Sequence, residues 1–145
     1  MIEGVTVVDL RQIVDDRGAV LHMCRSDAPD FTRFGECYFS EVRPGVVKAW
    51  KRHRLQTQNF AVPHGRIRLV IYDAREDSVT RGQLQVIELG RPDAYRRVRV
   101  PPGLWYGFGC LGETAALLAN CADIPHDPGE SEAQPIGFPA IPFAW

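Results

Sequence analysis

The stretch from Gly45 to Gly65 constrains this chain more than any other. It reads glycine, five residues, Lys51, one residue, His53, four residues, Gln58, six residues, glycine. Successive side chains on a strand point to opposite faces, so Lys51 and His53 share one face. A return strand then brings Gln58 up beside them. The pattern predicts two paired strands whose common face carries a cation, an imidazole and an amide.

The rest of the chain supplies more short strands between turns. Ile2 to Leu10 alternates, and Ala19 to Cys24 follows the turn signal Asp15-Asp16-Arg17-Gly18. Glu36 to Val42 alternates again, with Glu36, Tyr38 and Ser40 on one face. A polar inner face suits a barrel that holds a ligand better than a solid core. Arg66 to Asp73, Gln83 to Leu89, Arg96 to Val100 and Thr114 to Ala122 complete the set. Arg96, Arg97 and Arg99 read as a solvated strand face. From about residue 124 the chain is proline-rich and is expected to lie extended over the surface. Helical periodicity is missing, and many short strands between Gly/Pro turns predict an all-β sandwich or barrel.

A chain of 145 residues reads as one domain over residues 1–145. Its net charge of -1 gives no global attraction to nucleic acid or an anionic membrane, so neither is an expected partner. With no apolar run of spanning length and no signal-type segment, a cytoplasmic protein is expected. Cys24, Cys37, Cys110 and Cys121 lie far apart without zinc-type spacing and read as buried free thiols.

A second motif follows at Pro101-Pro102-Gly103-Leu-Trp-Tyr106. Together the two segments keep the frames of the paired cupin motifs, so the fold class is all-β, a cupin-type double-stranded β-helix or jelly roll. In metal-binding cupins the ligand positions read His, His, Glu and His. Here they are Lys51, His53, Gln58 and Tyr106. An ammonium at Lys51 repels a divalent ion, and Gln58 brings no charge to offset it. No metal and no other cofactor is expected.

The same residues carry a closer likeness. Asp15-x-Arg17-Gly18, Phe34-x-Glu36-x-Tyr38-x-Ser40, Gly45-Val-Val-Lys48, Tyr72-Asp-Ala-Arg75-x-x-Ser78 and Val100-Pro-Pro-Gly103 resemble the dTDP-4-dehydrorhamnose 3,5-epimerase family. The likeness implies a metal-free cupin, a homodimer, and a substrate that is a nucleotide-linked 4-keto-6-deoxy sugar. It also implies roles. Arg17 resembles an arginine that reaches the phosphates, and Lys48 falls where an arginine holds the diphosphate. Glu36 and Tyr38 fall where the family places Gln and Asn against sugar or phosphate. Gln58 falls where a lysine stabilises the enolate oxygen. Three positions depart from the family's pattern: its histidine base falls at Lys51, its tyrosine acid at Ala119, and the histidine after Pro-Pro-Gly at Tyr106.

Epimerisation beside a ketone needs a base for the acidic C–H, a donor for the enolate and a proton source on the other face. Lys51, His53 and Tyr106 are the candidates. Lys51 serves as base, or forms a Schiff base, only if desolvation lowers its pKa; otherwise it pairs with Glu36 or a phosphate. His53 is a base or a hydrogen-bond partner in the wall, and Tyr106 a proton donor or a packed ring. Trp50 and Trp105 are candidate stacking platforms for a base or sugar ring, and Arg66 a phosphate ligand. The expected function is epimerisation or isomerisation of a nucleotide-linked keto sugar, or of a similar anionic keto compound. The alternatives are a non-catalytic small-molecule-binding cupin, or a cyclase or dehydratase of secondary metabolism.

Overall fold

A computed structural model describes residues 1–145. Twelve strands and one short 3-10 turn make up the regular structure. In chain order the strands are β1 (Thr6–Asp9), β2 (Gln12–Asp15), β3 (Gly18–Leu21), β4 (Glu36–Val42), β5 (Val47–His53), β6 (Gln58–His64), β7 (Arg66–Tyr72), β8 (Leu84–Gly90), β9 (Arg96–Val100), β10 (Trp105–Leu111), β11 (Ala116–Ala122) and β12 (Ser131–Ala133). Two five-stranded sheets, ordered β1-β9-β6-β11-β4 and β12-β5-β10-β7-β8, form the jelly roll, while β2 and β3 make a separate hairpin. No helix is long and apolar enough to cross a membrane.

The core between the sheets follows from alternation. On β7, Ile67, Leu69 and Ile71 are fully buried inward and pack with Phe60, Val62, Val98 and Leu118 of the opposite sheet. Each such side chain contributes roughly 1.5–3 kcal/mol on burial. Gly65 turns β6 into β7 at φ +74, and a Cβ there would stand 2.6 Å from the Ala116 backbone. Glycine is required on both counts.

Most of the expected strands are present, and three segments differ. The first strand is only Thr6–Asp9, because Ile2 and Val5 leave strand geometry to enter the core. Gln12–Asp15, unforeseen, pairs with Gly18–Leu21 across the anticipated turn. The proline-rich tail runs along the outside of a sheet as expected, yet it also builds structure. Its residues Ser131–Ala133 pair with β5, and Ile141, Phe143 and Trp145 join a second apolar cluster with Trp50, Val70 and Trp105.

That cluster explains β10, where Gly107 and Gly109 interrupt an apolar run. A Cβ at Gly107 would fall 3.1 Å from the Trp145 ring and 2.5 Å from Cβ of Ala49. The glycines therefore make the shallow groove in which Trp145 lies. Between β10 and β5 the register shifts: Tyr106 faces Lys51, but Gly107 faces Ala49, leaving Trp50 as the extra residue. This bulge re-phases the strand, so Lys48 joins Lys51 on the inner side.

Candidate functional site

Three strands aim polar side chains into the open end of the barrel. The inner face of β5 carries Lys48, Lys51 and His53; β4 carries Glu36, Tyr38 and Ser40; β10 carries Tyr106. Two adjoining cavities, about 360 and 340 Å³, share Tyr38 and Lys51. One is walled by Phe60, Tyr106, Phe108 and Leu118, and the other by Glu36, His53, Gln56 and His126. An apolar compartment thus opens onto a charged one.

At their junction lies a buried hydrogen-bonded chain. Nδ1 of His53 meets the Glu130 carboxylate, and its Nε2 lies 3.1 Å from the Tyr106 hydroxyl. All three residues are about 5% exposed. The second oxygen of Glu130 accepts from the backbone N–H groups of Leu55 and Gln56, each at 3.2 Å. Burial alone would raise the Glu130 pKa, but the His53 and backbone hydrogen bonds outweigh it and hold the carboxyl below its ordinary range. Burial, with the nearby charges of Lys51 and His126, lowers the His53 pKa by more than Glu130 raises it. The resting pair is therefore a carboxylate and a neutral imidazole, whose Nδ1–H donates to Glu130 and whose Nε2 lone pair accepts from Tyr106. Burial pushes the Tyr106 hydroxyl well above its ordinary value, so it stays protonated as a donor.

A second network sets the other wall. Asn120 Nδ2 donates to the Tyr38 hydroxyl at 2.9 Å and to Gln58 Oε1, while Gln58 Nε2 donates to Gln56 Oε1 at 2.8 Å. Lys48 Nζ donates to Ser40 Oγ at 3.0 Å across the rim. Lys51 and Glu36 line the same cavity without an ion pair between them. No three His, Cys, Asp or Glu side chains converge as a metal site.

The structure thus brings together Lys51, His53, Tyr106, Glu36, Tyr38 and Lys48. Gln58 lies just behind them, 1% exposed and committed to Gln56 and Asn120 rather than facing a ligand. Four expected residues are elsewhere or turned away. Arg17 sits on the β2–β3 turn, 86% exposed and paired with Asp15. Arg66 is on the outer face of β7 and pairs with Asp93 at 2.9 Å, because Ile67 takes the inner position. Trp105 lies outside the barrel against Phe138, with the Arg52 guanidinium 4.6 Å above its ring. Trp50 borders the cavity, but its indole is buried outward and donates to the Ile136 carbonyl at 3.2 Å.

Glu130, Asn120 and Gln56 went unnoticed in the sequence. A signal for Glu130 existed in Asp127-Pro128: Asp127 caps the 3-10 turn Pro128–Glu130 by accepting from Gly129 N–H, with proline at its start. That turn fixes where the carboxylate points.

The family model of dTDP-4-dehydrorhamnose 3,5-epimerase matches residues 1–145, the whole chain. The chain belongs to this family. A crystal structure of a dTDP sugar isomerase from Desulfovibrio desulfuricans G20 superposes with a TM-score of 0.97 at 58% identity, covering 99% of this chain and 92% of that one. The probable low-salt glycan biosynthesis epimerase Agl13 of Haloferax volcanii is 40% identical over 121 residues, 82% of this chain and 77% of its own. The spore coat polysaccharide biosynthesis protein SpsL of Bacillus subtilis is 33% identical over 147 residues, 100% of this chain and 97% of its own. This family member is a sugar-nucleotide epimerase-like enzyme with a jelly-roll fold.

Proposed function

We propose that this enzyme inverts a stereocentre beside the ketone of a dTDP-linked 4-keto-6-deoxy sugar, with His53 as the base. The observation that carries this reading is the Glu130–His53–Tyr106 chain at the junction of the two cavities. Glu130 is the positioning residue: it fixes the imidazole tautomer and stabilises the imidazolium once formed. As substrate enters, the Tyr106 hydroxyl turns from Nε2 of His53, which takes the proton from the carbon next to the carbonyl while the electron pair moves onto the carbonyl oxygen. The Lys51 ammonium faces that oxygen and holds the enolate. Tyr38 on the facing strand β4, kept protonated by burial, returns a proton to the opposite face of the carbon. The sugar's methyl group fits the compartment of Phe60, Phe108 and Leu118, and Lys48 at the rim meets the diphosphate.

The dTDP part of the reading rests on the family and on the dTDP sugar isomerase that shares 58% of the sequence. The test is deuterium incorporation from D2O into a dTDP-4-keto-6-deoxy sugar, followed by NMR. His53→Ala is expected to abolish incorporation, and Lys51→Ala to reduce it about 10²-fold, the scale of a lost enolate donor. Incorporation that survives His53→Ala and fails in Lys51→Ala would transfer the base role to Lys51. Binding of dTDP with no incorporation by the unaltered enzyme would support a pocket without chemistry.

A homodimer completes the reading. Arg17 stands on an exposed hairpin and reaches a nucleotide only in a neighbouring copy's pocket. The hairpin's Ile13, Val14 and Val20 are 42–65% exposed, an apolar surface suited to a second copy.

A further inference from the structure

Three of the four cysteines, from segments far apart in sequence, meet on the outer face of the first sheet. The register of β4 with β11 sets Cys37 directly opposite Cys121. Cys24 and Cys121 line one cavity of about 310 Å³, and the Cys121 thiol lies 3.9 Å from the Met23 sulfur. All are free thiols; Cys37 is exposed and the other two are half-buried, so the expectation of buried thiols fails at Cys37. Burial, with Cys37 and Cys24 against it, pushes the Cys121 thiol up to about 12. Cys110 belongs to a different place, donating to the Thr114 carbonyl at 3.2 Å.

The inner face of the same two strands belongs to the functional site. Tyr38 and Asn120, each one residue along from these cysteines, are register partners, and Asn120 donates to the Tyr38 hydroxyl that borders both cavities. Thiol chemistry outside therefore sits back to back with the pocket wall inside. Moreover, β4 is an edge strand, held on one side only by β11.

We propose that Cys37 and Cys121 form a reversible disulfide, and that its closure draws β4 toward β11 and shifts Tyr38 in the pocket wall. A peroxide oxidises the exposed Cys37 thiol to the sulfenic acid and releases water. The Cys121 sulfur then attacks that sulfur; the S–S bond forms and the hydroxyl leaves as a second water with the Cys121 proton. Opposed residues in an antiparallel pair have Cβ atoms about 4.5–5.5 Å apart, whereas a disulfide needs about 3.8 Å, so the rung contracts by about 1 Å. The edge strand supplies that movement. A thiol reductant restores the open form by exchange.

The test treats the whole protein with hydrogen peroxide at about equimolar ratio, followed by peptide mass mapping and backbone hydrogen exchange. The expected product has lost two hydrogens, links Cys37 to Cys121, and reverts with dithiothreitol. The link is expected to be absent in Cys37→Ser and retained in Cys110→Ser, and exchange across Glu36–Val42 to change on oxidation. A link through Cys24 or Cys110 instead, or over-oxidation of Cys37 without a link, would overturn the pairing. A formed link with unchanged exchange in β4 would overturn the coupling. Neither readout depends on the sugar chemistry, so this inference and the proposed reaction stand or fall separately.

Discussion

Glu130 shows how one side chain, remote in sequence, sets the chemistry of another. Its carboxylate is held by two backbone N–H groups and is therefore a rigid acceptor for His53. The substitution Glu130→Gln preserves size but lets the amide present a donor to Nδ1, favouring the wrong tautomer. This variant is expected to lower kcat by about 10²-fold or more with KM little changed, read by steady-state kinetics. Acid titration carries a second expectation. Burial lowers the folded His53 pKa from its ordinary 6.5, so between that folded value and 6.5 the unfolded chain binds the proton and the folded one does not. Stability is therefore complete above about 6.5 and falls as pH drops through this window. The hydrogen-bonded Glu130 carboxylate, also lowered, adds a further loss at more acid pH. Denaturant midpoints measured from pH 7 to 5 should fall in the unaltered protein and fall less in His53→Gln. The acid limb of kcat/KM should likewise lie below 6.5.

At the scale of elements, the tail and the loop after β7 carry weight out of proportion to their regular structure. The tail closes a bridge: β12 pairs with β5, and Trp145 lies over Gly107 and Gly109. Gly107→Ala puts a methyl group against Ala49 and the Trp145 ring, and overpacking of this kind costs about 1–3 kcal/mol. Thermal unfolding should show the loss, and indole fluorescence should report the displaced Trp145. In the loop after β7, Asp73 is fully buried and collects Arg75, Ser78 Oγ and Thr80 Oγ1, with both hydroxyls at 2.6 Å. Burial would raise its pKa, but these donors together pull it far below the ordinary carboxylate range. Asp73→Asn leaves at least one of those donors short of its acceptor, and about 2 kcal/mol of stability should be lost in urea unfolding. Because Asp73 lies outside both cavities, kcat should stay unchanged.

At the scale of the molecule, the barrel's two ends differ. The end at Ile67 and Leu89 is packed and carries the β2–β3 hairpin, whose Gln12 bonds Pro92 and Arg91, whereas the end at His53 and Tyr106 opens onto the polar cavity. If Arg17 serves a neighbouring copy, a mixture of Arg17→Ala and His53→Ala protomers should recover about a quarter of dimeric activity through one intact site per mixed dimer. Light scattering on the unaltered protein should report twice the 16.3 kDa chain mass.

The sequence by itself determined the barrel, because alternation, glycine turns and the two motif frames are local properties of strands. It also placed Lys51 and His53 on one face and Glu36, Tyr38 and Ser40 on another, since a period of two needs no knowledge of the partner strand. Only the tertiary structure decided the rest. A bulge at Trp50 turned Lys48 inward, and bulges depend on the register between strands. Arg97, read as solvated, is buried in an ion pair with both carboxylate oxygens of Asp30 from a distant loop. Glu130 reaches His53 across 77 residues of chain, a contact made by the path of the tail rather than by any pattern within it.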